Sequence, residues 1–139
     1  MEKYKIGYTT GVFDMFHIGH LNILKRAKEQ CEYLIVGVST DELVEEYKKK
    51  KPVIPFKERV AIVSAIKYVD KVIAQTTMSK IPAFESEHFD AMFHGSDWKN
   101  SESYNEIVEE LRKRGVEVIF LPHTDGISST DIVKRIQNK

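Results

Sequence analysis

Tyr4-Lys5-Ile6-Gly7-Tyr8-Thr9-Thr10-Gly11-Val12-Phe13-Asp14-Met15-Phe16-His17-Ile18-Gly19-His20 changes character twice within seventeen residues. Tyr4 to Thr9 predicts a short strand. Thr10 to Asp14 is a glycine-containing turn. From His17 to Gln30 the apolar residues Ile18, Leu21, Ile23, Leu24 and Ala27 fall near helical spacing, so a helix follows. Strand, turn and helix in direct succession form the opening unit of an α/β fold.

The same alternation continues downstream. Tyr33 to Val38 is an unbroken apolar run, the pattern of a strand covered on both faces. Thr40 and Asp41 can open a short helix, whereas Glu45 to Lys51 is densely charged, ends at Pro52 and reads as a mobile loop. Pro55 to Tyr68 predicts a helix and Val69 to Ala74 a strand. Ile81 to His88 reads as helical after a break at Pro82. Ala91 to Gly95 is a short strand, and Tyr104 to Arg114 an amphipathic helix closed by Gly115. Val116 to Leu121 is a fifth strand. Ser128 to Gln137 is a last helix, with Ser128 or Ser129 as its N-cap. Strands and helices alternating from end to end predict one Rossmann-like α/β domain over residues 1–139, with a five-stranded parallel sheet flanked by helices.

Composition narrows the function classes. The 139 residues include 21 Lys plus Arg and 21 Asp plus Glu, so the net charge is zero and no general attraction to nucleic acid or acidic lipid is expected. Cys31 is a single cysteine, which excludes an internal disulfide framework and a multi-cysteine zinc site. No 18-residue apolar run is present, and Met1 to Lys5 is polar rather than a signal peptide; a cytoplasmic protein without a membrane span is the expectation.

Ligands of open α/β sheets bind beyond the carboxyl ends of the strands. Three polar clusters fall at such ends: Thr9 to His20, Gly95 to Trp98, and Pro122 to Thr130. In the first, backbone N–H groups at the glycine turn and helix start can face an anion. His17 and His20 lie three apart and share one face of the first helical turn. Two imidazoles there can donate to phosphate oxygens and stabilise developing charge. The same pair can equally cap the helix and fill the core, or contribute two ligands to a metal site for which no strong third is evident; no metal site is therefore assigned. Lys48 to Lys51 form a lysine run that suits a solvated loop as well as a phosphate contact. Asp14 can orient the turn through backbone hydrogen bonds or meet a substrate.

Gly11 to His20 resembles the GTFDxxHxGH signature of the cytidylyltransferases within the HxGH nucleotidyltransferase superfamily. Pro122-His123-Thr124-Asp125-Gly126-Ile127-Ser128-Ser129-Thr130 resembles that family's second signature, RTEGIST. Ser39-Thr40-Asp41-Glu42 and Lys67-Tyr68-Val69-Asp70 also match, and the likeness runs over essentially the whole chain, nearest to the bacterial glycerol-3-phosphate cytidylyltransferases. The resemblance implies transfer of CMP from CTP to a phosphorylated alcohol, foremost sn-glycerol 3-phosphate. The products would be pyrophosphate and CDP-glycerol, the latter used for a surface polymer such as teichoic acid. Mg²⁺ would accompany CTP, and the enzyme would be a homodimer.

Residue by residue, the resemblance assigns His17, His20 and Lys50 to catalysis. It assigns Gly11, Val12, Phe13, His17, Gly19, His20, Lys50, His123, Gly126, Ile127, Ser128, Ser129 and Thr130 to the nucleotide. Asp14, Lys48, Lys80, Asp97 and Trp98 fall to the acceptor. Two positions depart from the pattern: Val12 replaces a threonine, and His123 stands where the family carries an arginine, so a permanently charged fork is lost there. Other acceptors (phosphocholine, phosphoethanolamine or a polyol phosphate), ATP in place of CTP, and a nucleotide-binding module without turnover are the alternative readings.

Overall fold

The computed structural model describes residues 3–95 and 102–122, together with Ile136. The described residues form, in order, β1 (Tyr4–Gly11), α1 (Ile18–Glu29), β2 (Cys31–Ser39), α2 (Asp41–Lys48), α3 (Phe56–Ser64), β3 (Lys71–Gln75), α4 (Ile81–Glu87), β4 (Ala91–Gly95), α5 (Glu102–Lys113) and β5 (Glu117–Leu121). The strands form one sheet in the order β3-β2-β1-β4-β5, and every pairing is parallel. The chain winds outward from β1 to β3, then returns to place β4 on the other side of β1. The strand order therefore reverses between β1 and β4, and the crevice beyond their carboxyl ends is where such sheets take ligands.

Both faces of the sheet are covered, which is why β2 shows no polar alternation. Leu34, Val36 and Val38 point to one face, where they pack with Leu24 and Ala27 of α1 and Val63 of α3. Ile35 points to the other, where Ala83 of α4 and Val108 and Leu111 of α5 bury against Tyr8, Met92 and Val118. Burial of this kind contributes about 25 cal/mol per Å² of apolar surface. The turn after α5 is set by Gly115, whose φ of 84° is left-handed. Gly115 N–H donates to the Arg112 carbonyl at 3.0 Å and Val116 N–H to that of Leu111 at 3.1 Å, the paired bonds of a Schellman stop.

Three local expectations change. The charged segment after Val44 is not wholly loop: Glu45 to Lys48 complete α2. Thr40 caps that helix by accepting from Leu43 N–H at 3.2 Å, Asp41 and Glu42 face its positive end, Lys48 its negative end, and Leu43 and Val44 are buried. Lys49 then terminates it with φ 61°. The helix read to Tyr68 closes at Ser64, because Ala65 and Ile66 bond three rather than four residues back. Pro82 does not break α4 but sits in its first turn, where its missing N–H costs nothing. Among the described residues, no helix is long and apolar enough to cross a membrane.

Candidate active site

The β1–α1 turn leaves the sheet at the strand reversal. Phe13 and Met15 take φ of 55° and 48°, left-handed values that cost a non-glycine residue about 1 kcal/mol or more each. Three anchors hold this backbone. The Phe13 ring is buried in the α1-side core. The Val12 carbonyl accepts from Arg59 at 2.7 Å. Asp14 accepts from Val53 N–H at 2.7 Å with one carboxylate oxygen and from Ile54 N–H at 2.8 Å with the other. Of the two roles open to Asp14, orienting the backbone is the one its contacts display.

His17 and His20 form a reciprocal cap. His17 is the N-cap of α1, and its Nδ1 accepts from Gly19 N–H at 3.0 Å. His17 N–H donates to Nδ1 of His20 at 3.2 Å. This is a capping box written in histidine. It also fixes both tautomers: a backbone N–H can only donate, so each Nδ1 offers a lone pair and each neutral ring carries its proton on Nε2. The rings stack with centroids 3.9 Å apart at 22°. His20 meets Phe13 edge-on at 5.5 Å and Phe16 at 5.3 Å. Burial, reinforced by His17, pushes its pKa down to about 4, so the ring is neutral near pH 7. Capping and phosphate donation are thus compatible, because they use different nitrogens. The Gly19 amide, by contrast, is already committed to His17.

Arg59 ties the surrounding segments together, and sequence reading did not assign it to the site. It is fully buried at 0% exposure. Its guanidinium donates to the carbonyls of Ile54 (2.8 Å), Val12 (2.7 Å) and Ser39 (2.8 Å) and to Asp41 Oδ1 (2.6 Å). Asp41 Oδ2 in turn accepts from Phe56 N–H at 3.2 Å. One side chain thereby joins the β1–α1 turn, the end of β2, the start of α2 and the entry to α3. The available signal was a lone arginine directly before the apolar stripe that begins at Val60.

Of the lysines, Lys48 stands within electrostatic reach of His20, Asp14 and Lys50. Burial and then Lys50 lower its pKa, while Asp14 opposes them. Lys50 is exposed, just past the left-handed Lys49. Lys80 lies on the opposite face of the sheet, at the start of α4, and is 5% exposed. Tyr8 positions the segment that carries it: the phenol donates to Gln75 Oε1, and Gln75 Nε2 donates to the carbonyls of Thr77 at 2.6 Å and Ser79 at 3.0 Å. The phenol crosses β2 at Gly37, where a Cβ would stand 2.0 Å from the Tyr8 oxygen. Neither Tyr8 nor Gln75 was legible as a site residue, since both look like ordinary strand positions.

Arg26 of α1 donates to the Pro122 carbonyl at 2.9 Å, fixing the exit of β5 beside α1. Asp97, Trp98, His123, Gly126, Ile127, Ser128, Ser129 and Thr130 lie outside the described residues. Among the described residues, no three His, Cys, Asp or Glu side chains gather as a metal cage, and both oxygens of Asp14 are engaged by amides.

Comparison with known proteins agrees with this geometry. The profile of the family described as cytidylyltransferase-like matches residues 8–135. The chain is 40% identical over 127 residues to a glycerol-3-phosphate cytidylyltransferase of Bacillus spizizenii, covering 91% of this chain and 92% of that protein. It is 38% identical to an ethanolamine-phosphate cytidylyltransferase of Dictyostelium discoideum, over 95% of this chain and 38% of that longer one. Among solved structures, a lipopolysaccharide core biosynthesis protein of Thermoplasma volcanium superposes with a TM-score of 0.76 at 27% identity, covering 88% of this chain and 99% of that one. A parallel sheet that reverses at β1, a histidine pair capping the helix at that reversal, and a profile match spanning most of the sequence place this chain in the cytidylyltransferase-like family.

Proposed function

We propose that this protein transfers CMP from CTP to sn-glycerol 3-phosphate, releasing pyrophosphate and forming CDP-glycerol. The observation that carries the reading is the reciprocal cap, which directs the ring protons of His17 and His20 to Nε2 at the start of α1. A phosphate oxygen of the acceptor attacks the α-phosphorus of CTP in line, and pyrophosphate leaves. Such transfer depends on positioning and on charge stabilisation rather than on a covalent enzyme intermediate. The two Nε2–H groups donate to the triphosphate and strengthen as charge builds on the leaving oxygens. Because the His20 ring is neutral, its Nδ1 can keep accepting the cap hydrogen bond while Nε2–H donates. Lys48 and Lys50 supply cationic charge from the end of α2, Lys50 toward CTP and Lys48 toward the acceptor. Gly126 to Thr130 contribute backbone N–H groups and hydroxyls at the last helix, and Asp97 and Trp98 contact the acceptor, as the family resemblance implies.

A divalent ion, Mg²⁺, fits this scheme as a companion of the nucleotide, since Asp14 is committed to amides and the ion's ligands would be phosphate oxygens. Bound there, it would neutralise triphosphate charge. The homodimer and the cytoplasmic setting remain part of the same proposal.

Pyrophosphate release measured over four nucleoside triphosphates and a panel of phosphorylated alcohols tests the reading. Release with CTP and glycerol 3-phosphate, well above the other pairs, is expected. Preference for ATP would overturn the nucleotide assignment. Preference for phosphoethanolamine, the acceptor class named in the Dictyostelium relative, would overturn the acceptor.

A further inference from the structure

A buried polar chain crosses three strands on the face of the sheet that α4 and α5 cover. Tyr8 starts it on β1. Its ring lies flat on Phe89, with centroids 4.7 Å apart at 11°, and its hydroxyl passes over β2 at Gly37. A Cβ at Gly37 would stand 2.0 Å from the phenol oxygen and 3.2 Å from Gln75 Oε1, so only glycine lets a side chain of β1 reach one of β3. The phenol donates to Gln75 Oε1, and Gln75 Nε2 donates onward to the carbonyls of Thr77 at 2.6 Å and Ser79 at 3.0 Å. Thr77 Oγ1 also donates to the Ser79 carbonyl at 3.1 Å, and Ser79 Oγ accepts from Ile81 N–H at 3.3 Å.

Tyr8 and Gln75 are both buried. Polar side chains in such a place add little net stability, because desolvation offsets most of what each hydrogen bond returns. What a fully satisfied buried network supplies is one defined geometry. Here that geometry is imposed on a single turn. Residues 76–80 belong to no strand or helix, and Thr76, Thr77, Met78 and Ser79 are exposed, so their own packing does not fix the turn's shape. The Gln75 amide does, by holding two of its carbonyls from below. The turn leaves the carboxyl end of β3, the side on which open α/β sheets take ligands, and ends at Lys80 before α4.

We propose that Gln75, oriented by Tyr8, is a positioning residue for the transfer reaction: it shapes the β3–α4 turn so that the turn receives the acceptor alcohol. The inference rests on the cytidylyltransferase reading, in which Lys80 at the end of this turn goes to the acceptor. Gln75 meets no substrate itself and acts through the carbonyls of Thr77 and Ser79. Without the amide the turn takes several shapes, and acceptor affinity falls with the fraction of molecules that hold the competent one. The histidine pair starts α1, which packs on the other face of the sheet, so the nucleotide contacts stay as they are.

The test is steady-state pyrophosphate release by wild type, Tyr8→Phe, Gln75→Met and the double variant, with KM for CTP and for sn-glycerol 3-phosphate and kcat measured on each. Tyr8→Phe keeps the ring on Phe89 and removes only the donor to Gln75; it should raise KM for glycerol 3-phosphate roughly threefold to tenfold, the worth of one hydrogen bond. KM for CTP and kcat should stay within about twofold, since neither reports the turn. Gln75→Met keeps the bulk of the side chain but loses both carbonyl contacts, so its rise should be the larger, about tenfold or more. The double variant should be no worse than Gln75→Met alone, because Tyr8 acts only through the amide. An unchanged KM for glycerol 3-phosphate in Gln75→Met overturns the inference. So does an equal rise in both KM values, or full additivity in the double variant, either of which would mark the pair as packing. If Gln75→Met does not fold, the KM split in Tyr8→Phe decides alone. A wild type that releases no pyrophosphate from CTP and glycerol 3-phosphate brings down the cytidylyltransferase reading itself; normal turnover with unmoved KM values brings down only the role of Gln75.

Discussion

His17 separates two duties on one ring. Nδ1 starts a helix, and Nε2 carries the ring proton that the proposed reaction uses. Asparagine is a good N-cap whose side-chain oxygen replaces Nδ1 but which has no counterpart to the outward N–H. His17→Asn should therefore melt within a few degrees of wild type in thermal unfolding, yet lose about 10²–10³-fold in kcat. A loss of activity matched by an equal loss in folding would assign His17 to the cap. At this scale the sequence was most legible where spacing carries meaning: two histidines three apart at a helix start declare a shared face. It was least legible at Tyr8 and Gln75, because strand positions say nothing of which polar side chain will meet which across a sheet. Lys80 was found only through family resemblance.

At the scale of elements, the loop between α2 and α3 is held by others rather than by itself. The amides of Val53 and Ile54 both donate to Asp14, far back in the β1–α1 turn. Hydrogen exchange should find these two amides protected, although Val53 is an exposed side chain. Asp14→Ala should abolish that protection and raise KM for CTP, since Lys48 and Lys50 lead directly into this loop. Exchange at the two amides unchanged by the mutation would remove Asp14 as the clamp.

Arg59 makes the stronger prediction. Arg59→Met leaves three carbonyls and the half-exposed Asp41 without their donor, and each buried acceptor left unsatisfied costs about 1–3 kcal/mol, so a clear loss of stability is expected in chemical denaturation. Arg59→Lys should rescue little, because one ammonium cannot reach four acceptors on separate segments. The misreading of Glu45 to Lys48 has its cause at this level too. Charge density argues for solvent, but charges arranged acidic-first and basic-last favour a short helix once Thr40 caps it.

For the whole molecule, the neutral buried histidines couple folding to pH. An unfolded histidine takes up a proton as pH falls through about 6.5. Folded His20 does so only near 4, and His94 only near 3. Between these values the unfolded chain binds more protons than the folded one, so stability must drop as pH falls. Each ring contributes a slope of at most about 1.4 kcal/mol per pH unit. Denaturant midpoints between pH 6.5 and 4.5 should decline, and the decline should be shallower in His94→Gln. An identical pH dependence in the two proteins would show that His94 is not held neutral. Above pH 6.5 this contribution is complete. The architecture itself was readable from alternation and from the unbroken apolar run of β2. The order of strands was not, because no local signal says on which side of β1 a later strand will dock.

That order bears on how the chain is made. β1 leaves the ribosome before the other four strands of this sheet yet occupies its middle. On one side Tyr4 meets Cys31 early in synthesis; on the other Gly7 waits for Ala91. At about 5–20 residues per second the second flank of β1 stays an open edge for several seconds. The nascent polypeptide is thus most exposed to wrong partners through the very strand that later leads into the histidine pair, and docking of β4 seals that edge.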